Sequence, residues 1–452
     1  MIKFQQKSPS GMFPKEMKGE RMNKVVTVIG GGLAGCEAAY QIAKKGFFVK
    51  LYEMKPKVFS AAHSNESLAE IVCSNSFKSN LITNACGLLK EELRNLDSLL
   101  INCADITRVP AGQALAVDRE AFSTLVTKKI ELNKRIKVIR EEFNDKFDDN
   151  QIYIIATGPL TSDNMSKKIV DLTGQDGLHF YDAAAPIIEK DTIDMKIAFY
   201  GDRYGKTGDS SYINLPMNKT EYEKFITELV NAEIVELHNF EKKEIFEGCM
   251  PVEVMAKRGL DTLRFGPLKP VGFNDPRTGE RPYALVQLRQ DNKEGNLYNM
   301  VGFQTNLKFG EQKRVFSLIP GLENSEFIKY GVMHRNTYIN SPDLLDETYN
   351  MKQKNNIFFA GQITGVEGYV ESIASGLVAG LNSISKTKIT FPETTVIGAL
   401  SKYISTKNLN FQPMNANFGI LPPLGVKIKD KIERYKKMSE RSLEDLKNVS
   451  LN

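Results

Sequence analysis

The chain has 452 residues, of which 41% are hydrophobic and 25% charged. That suits one or two large domains with sizeable cores and excludes a disordered, collagen-like or coiled-coil chain. Sixty Lys and Arg against 55 Asp and Glu leave a formal charge of +5, too mild to name a polyanionic partner unless it is concentrated locally.

No stretch approaches the roughly 18 consecutive apolar residues of a membrane span, and the start of the chain has no apolar core of a signal peptide. A cytoplasmic protein with no membrane partner is expected. Residues 1–23 are polar and unpatterned, precede a second methionine, Met22, and read as an extension outside the fold. VVTVI (25–29) then reads as a buried parallel strand, GGGLAG as a turn, and CEAAYQIAKK as a helix stopped by Gly46; 47–54 reads as the next strand. Together they make one βαβ unit. LLKEELRNLDSLL (88–100) places Leu89, Leu93, Leu96 and Leu100 on one helical face. IYIIATGP (152–159) reads as another buried strand running into a turn.

From about Lys190 the texture changes to mixed strands and long polar segments, and 355–380 returns to strand, Gly-rich turn and small-residue helix. The expected fold class is α/β: a Rossmann-type FAD-binding domain, discontinuous in sequence (24–190 and 333–452), with an inserted α+β domain at 191–332. The charged amphipathic tail reads as a solvated terminal helix.

Gly30, Gly32 and Gly35, with Gly31, Leu33 and Ala34 between them, form a G-x-G-x-x-G turn between predicted strand and helix. Glu53 closes the second strand 23 residues after Gly30. One glycine turns the chain, the next lets backbone approach a pyrophosphate, and the third packs helix on strand, while the acid suits ribose hydroxyls. A second Gly-rich segment, with Gly361, Gln362, Gly365, Gly368 and Tyr369, arrives about 330 residues later. Such a distant element favours FAD over NAD as the resident dinucleotide.

Five cysteines are scattered without a C-x-x-C pair, so neither a disulfide framework nor a metal site is expected. Cys36, Cys86 and Cys103 lie among apolar neighbours and read as packing residues. Cys73 lies in the polar segment CSNSFKSN, with Lys78 near enough in sequence to lower a thiol pKa. Cys249 lies between Gly and Pro signals, and composition alone leaves the function of both open. Of the histidines, only His334 in YGVMHRN is a candidate ligand contact.

The blocks VIGGGLAGCEAAYQIA, EIVCSNSFKSN, CGLLKEEL, VPAGQALAVDREAFS, FEGCMPVEVMAKRG, LRFGPLKPVGFNDPRTGERPYALVQLRQDN and VGFQTNLKFGEQKRVFSLIPGLENSEF resemble, in order, the folate- and FAD-dependent tRNA (uracil-5-)-methyltransferase family. A more distant relative, the flavoprotein of wobble-uridine modification, shares the nucleotide domain and the block Val117, Asp118, Arg119, Phe122, but has a longer chain. The resemblance implies methylation at C5 of a uridine, with methylenetetrahydrofolate as carbon donor and reduced flavin, recharged by NAD(P)H, as reductant. It also implies functional roles for Cys73 and Cys249. Uracil C5 becomes nucleophilic only after addition at C6, and a thiolate is well suited to that addition.

Residues 251–335 carry 13 Lys and Arg against 9 Asp and Glu. Arg258, Arg264, Lys269, Arg277, Arg281, Arg289, Lys308, Lys313, Arg314 and Arg335, interleaved with Phe265, Phe273, Tyr283, Phe303, Phe309 and Phe316, read as an RNA-binding surface. A structured RNA is the expected partner, tRNA ahead of 23S ribosomal RNA. The alternative from another class is a small-molecule flavin oxidoreductase with redox thiols.

Overall fold

The computed structural model describes residues 25–60, 62–175, 178–183, 185–202, 212–235, 250–331, 333–409 and 411–451, with backbone only at 178–183 and 333–335. The expectations for residues 1–23 and for Cys249 fall outside the described residues.

Two sheets with separate cores organise the chain. The first runs Asn350–Met351, Lys354–Phe359, Ile152–Ile155, Val25–Ile29, Phe48–Tyr52, Ile136–Ile139. All its neighbours are parallel except the short Asn350–Met351 edge. Val26, Val28, Val49, Leu51, Ile154 and Ile155 are buried, as β-branched and aliphatic runs covered on both faces must be. Strands from both ends of the chain lie side by side, with Ile357 opposite Tyr153 and Val26 opposite Ile152. Helix Leu33–Lys44 follows the first strand and lies against helix Tyr369–Ile384. Glycine makes that approach: a Cβ on Gly376 would stand 2.2 Å from the Ala34 carbonyl oxygen, and one on Gly380 2.9 Å from Ala38 Cα.

The second sheet is antiparallel throughout: Phe199–Tyr200, Tyr212–Met217, Ala284–Gln290, Leu297–Met300, Ile187–Glu189, Phe327–Lys329. Ile188, Leu215, Phe225, Phe303 and Phe316 sit in its core. The sheet takes in Ile187–Glu189, just upstream of the change of texture near Lys190, because Ile188 is fully buried there. A two-stranded antiparallel ribbon, Leu178–Ala183 with Met333–Tyr338, carries the chain out and back.

The helix expected over 88–100 is two helices, Ala85–Asn95 and Leu99–Ile106. Asp97 takes a left-handed φ of 56°, and Ser98 Oγ accepts the Ile101 N–H at 3.3 Å as N-cap. Capping by the serine overrides the heptad-like leucine pattern, although all four leucines remain buried. The charged tail forms helix Lys431–Lys447, and one face of it docks: Ser439 Oγ donates to Ile82 O and Ser442 Oγ to Glu92, each at 2.6 Å. Among the described residues, no helix is long and apolar enough to cross a membrane.

Candidate functional site

At the carboxyl ends of the parallel strands lies a cleft of about 1090 Å³, counted to its open mouth. Gly30, Gly31, Gly32, Leu33 and Ala34 form its floor, with Glu53 beside them. Each glycine of the turn has its own reason. Gly30 has φ +107°, and a Cβ there would strike the Ala156 carbonyl oxygen at 2.3 Å. A Cβ on Gly35 would stand 1.8 Å from the Gly30 carbonyl oxygen. Gly31 faces Glu53, whose Oε2 accepts the Gly31 N–H at 3.0 Å while Oε1 accepts that of Lys55 at 3.0 Å. Gly32 differs, since a Cβ there would meet nothing within 4 Å. The space above Gly32 is therefore bounded by backbone at the start of a helix, where N–H groups and the helix dipole suit phosphate. The residues present fit a dinucleotide.

The late Gly-rich segment supplies the opposite lip. Gly361, Gln362 and Tyr369 line the cleft, and a Cβ on Gly361 would touch Ala34 Cβ at 3.1 Å. Gly365 and Gly368 lie behind: Phe411 crowds the first and the Glu371 carboxylate the second, and both hold positive φ. Gln362 Nε2 donates to both Glu367 oxygens at 2.9 Å. Sequence reasoning missed a third wall, Thr157 to Ser162 with Glu142, where the Thr157 and Thr161 hydroxyls bond at 2.7 Å. It also missed Lys55, whose Nζ reaches Glu70 at 3.1 Å and Ser67 O at 2.7 Å against the cleft. A polar turn directly after the strand at 152–155 was the available signal for the third wall; nothing local marks Lys55.

Cys73 follows Val72, which lines this cleft. The Tyr369 hydroxyl accepts the N–H groups of Cys73 and Ser74, at 3.0 and 3.1 Å, and so ties the thiol segment to the late glycine loop. Arg119 donates to the carbonyls of Ile71 (3.1 Å) and Cys73 (3.3 Å), and its Nε binds Asp291 of the insertion at 2.9 Å. Asp118 caps its own helix through the Ala121 N–H and accepts the Lys293 N–H, both at 2.8 Å. The acidic and basic residues of the 117–122 block thus both reach the insertion. Cys73 is half-buried, whereas Cys36, Cys86 and Cys103 are buried. Burial pushes the Cys36 thiol far up and those of Cys86 and Cys103 up to about 11, so these three pack as expected. Lys78 Nζ lies 3.8 Å from the buried Glu371 carboxylate.

The basic segment divides. Arg258, Lys269, Arg281 and Lys313 are exposed. Arg277 pairs with Asp275 at 2.7 Å, Lys308 with Glu233 at 2.6 Å, and Arg314 with Glu311 at 2.8 Å. Arg264 pairs with Asp261 at 2.7 Å and stacks 3.6 Å over Tyr283. Arg335 lies in the ribbon opposite Tyr181. Arg289 does not belong to a surface. It is 8% exposed and bonds Asn75 and Ser74, because it ends a strand whose other residues are mostly core. Phe273, Phe303 and Phe316 are likewise buried in the insertion and offer no face to a base, while Phe265 is 80% exposed.

The family described as glucose inhibited division protein A matches residues 25–389. A methylenetetrahydrofolate–tRNA-(uracil-5-)-methyltransferase, TrmFO, of Acetivibrio thermocellus is 61% identical over 427 residues, covering 93% of this chain and 98% of that protein. The protein of the same name from Fusobacterium nucleatum is 58% identical, covering 94% and 99%. Among solved structures, GidA of Aquifex aeolicus superposes with a TM-score of 0.67 at 17% identity, covering 94% of this chain and 74% of that one, a likeness of fold.

Proposed function

The chain belongs to the GidA family and, within it, to the methylenetetrahydrofolate–tRNA-(uracil-5-)-methyltransferases, and from that premise we propose that it forms 5-methyluridine in tRNA, with Cys73 and Cys249 as the reacting thiols. The observation that supports this reading of the site is the pair of bonds from the Cys73 and Ser74 amides to the hydroxyl of Tyr369, a residue that lines the cleft. When bound, FAD supplies reducing electrons drawn from NAD(P)H, and methylenetetrahydrofolate supplies the carbon.

The chain's own residues have distinct tasks. Amides at the start of helix Leu33–Lys44 would hold the pyrophosphate of bound FAD, and the Glu53 carboxylate, fixed by the Gly31 and Lys55 N–H groups, would face its ribose. Tyr369 and Arg119 fix the backbone on either side of the Cys73 thiol. One thiolate would add to uracil C6, forming an S–C bond and turning C5 into an enolate carbon, which would take the methylene as its bond to the folate nitrogen breaks. The other thiol would remove the C5 proton, the two electrons from the reduced flavin would bring the carbon to the methyl level, and the S–C bond would break to release the thiolate. The exposed cations Arg258, Lys269, Arg281 and Lys313 and the exposed ring of Phe265 are proposed as RNA contacts, phosphate and base respectively.

The test uses alanine at each cysteine and RNA bearing 5-fluorouridine, which traps the C6 adduct. One of the two variants should lose the covalent complex, and both should lose methyl transfer at least about a hundredfold. Two variants that both still form the complex and methylate RNA would refute the thiol assignment.

A further inference from the structure

We propose that Arg289 is a positioning residue of the reaction: its buried guanidinium pins the Cys73 segment to the insertion and is the counter-charge that favours the Cys73 thiolate. The inference rests on the reading of Cys73 as a reacting thiol. Arg289 lies near the end of strand Ala284–Gln290, more than 200 residues from the segment it holds. Its Nε donates to Asn75 Oδ1 at 2.9 Å and its Nη2 to Ser74 Oγ at 2.6 Å. Asn75 completes the lock, its Nδ2 donating to Val117 O at 3.1 Å and Gln290 O at 2.9 Å.

Both acceptors of Arg289 are neutral. Asp291, two residues on, is engaged by Arg119 instead. A buried cation whose own hydrogen bonds go to neutral groups is a costly arrangement, and a site that keeps one favours anions beside it, Asp291 among them. The thiol of Cys73, adjacent to Ser74, supplies another when it ionises. The other groups facing the segment do not cancel the bias. Arg119 and Lys329 are cationic, Asp291 is tied to Arg119, and Glu70 to Lys55. The hydroxyls of Tyr212 and Tyr369 also face it, and burial pushes that of Tyr369 up, so it stays neutral. Burial pushes Arg289 and Lys329 down, and Asp291 and, more weakly, ionised Cys73 work against that burial at both.

The FAD-loaded full chain is alkylated with iodoacetamide from about pH 5 to 10, and the Cys73 peptide alone is quantified by mass spectrometry. The wild-type midpoint should fall below the ~8.5 of an ordinary thiol. Arg289→Met should raise it by about one unit, slowing alkylation near pH 7 about tenfold, and Arg289→Lys should restore most of the loss. Arg289→Met that retains FAD and titrates like wild type would overturn the proposal. So would a wild-type midpoint at or above the ordinary thiol value, which needs no substitution and decides the matter if Arg289→Met does not fold. Methyl transfer to tRNA by the same wild-type preparation judges the site itself: active protein with an ordinary Cys73 midpoint refutes Arg289 alone.

Discussion

At the residue scale the glycine turn separates two demands that a motif merges. Gly35 is required by the fold, because a methyl group there would overlap the Gly30 carbonyl, whereas Gly32 is required only by what lies above it. Gly32→Ala should therefore leave the stability of the apo-protein within about 0.5 kcal/mol and weaken FAD at least about tenfold, as read by thermal melts and flavin titration. Gly35→Ala should lower stability itself by about 1–3 kcal/mol. Equal loss of stability in the two variants would contradict this division. The turn was legible in the sequence because its three glycines fall within six residues, directly between a strand and a helix. Arg289 was not. Charge sign can be read from a string, but burial depends on partners more than 200 residues away. The one available hint was its place in the apolar run ALVQLR, which reads as a core strand better than as a phosphate-binding face.

At the scale of elements, buried carboxylates hold helices in place. Glu92 accepts the Val396 N–H at 2.7 Å and the Ile397 N–H at 3.0 Å, at the start of helix Val396–Ser405, and the Ser442 hydroxyl from the tail helix at 2.6 Å. Burial pushes its carboxyl up to about 7 against the pull of these donors. Folded protein then holds a proton that unfolded chain has released between about pH 4.5 and 7. Stability falls as pH rises through that window, by about 3 kcal/mol in all, and is level above it. Glu92→Gln should flatten the slope in denaturant melts taken at pH 5, 6 and 8. Glu92→Ala should cost about 2–3 kcal/mol at pH 5, by leaving buried N–H groups without acceptors. An unchanged slope in Glu92→Gln would place the titration elsewhere. The same region explains the misjudged helix over 88–100. The leucine spacing was read correctly as a buried face, but the Asp-Ser pair that ends one helix and caps the next outweighs a periodicity that both segments satisfy.

For the whole molecule, the arrangement that matters is convergence of distant segments on one cleft. The first strand and the strand at 354–359 flank the strand at 152–155, and the Gly376 and Gly380 contacts bring the late loop over the early turn. The insertion then reaches back through Asp291, Lys293 and Arg289 to hold the segment of Cys73. The discontinuous nucleotide domain was legible because both ends of the chain repeat strand, glycine turn and helix. The block of Asp118 and Arg119 could be read, but not its partner, since Asp291 lies more than 170 residues away and looks locally like an ordinary polar residue. One chain joins a flavin site to uridine methylation in tRNA. The most direct test supplies FAD-loaded protein with carbon-labelled methylenetetrahydrofolate, NAD(P)H and an unmodified tRNA transcript, then digests the RNA to nucleosides. Label should appear in 5-methyluridine, dependent on FAD and absent when the cysteines are replaced. Flavin-loaded protein that is reduced by NAD(P)H yet leaves all label in the folate pool would contradict it.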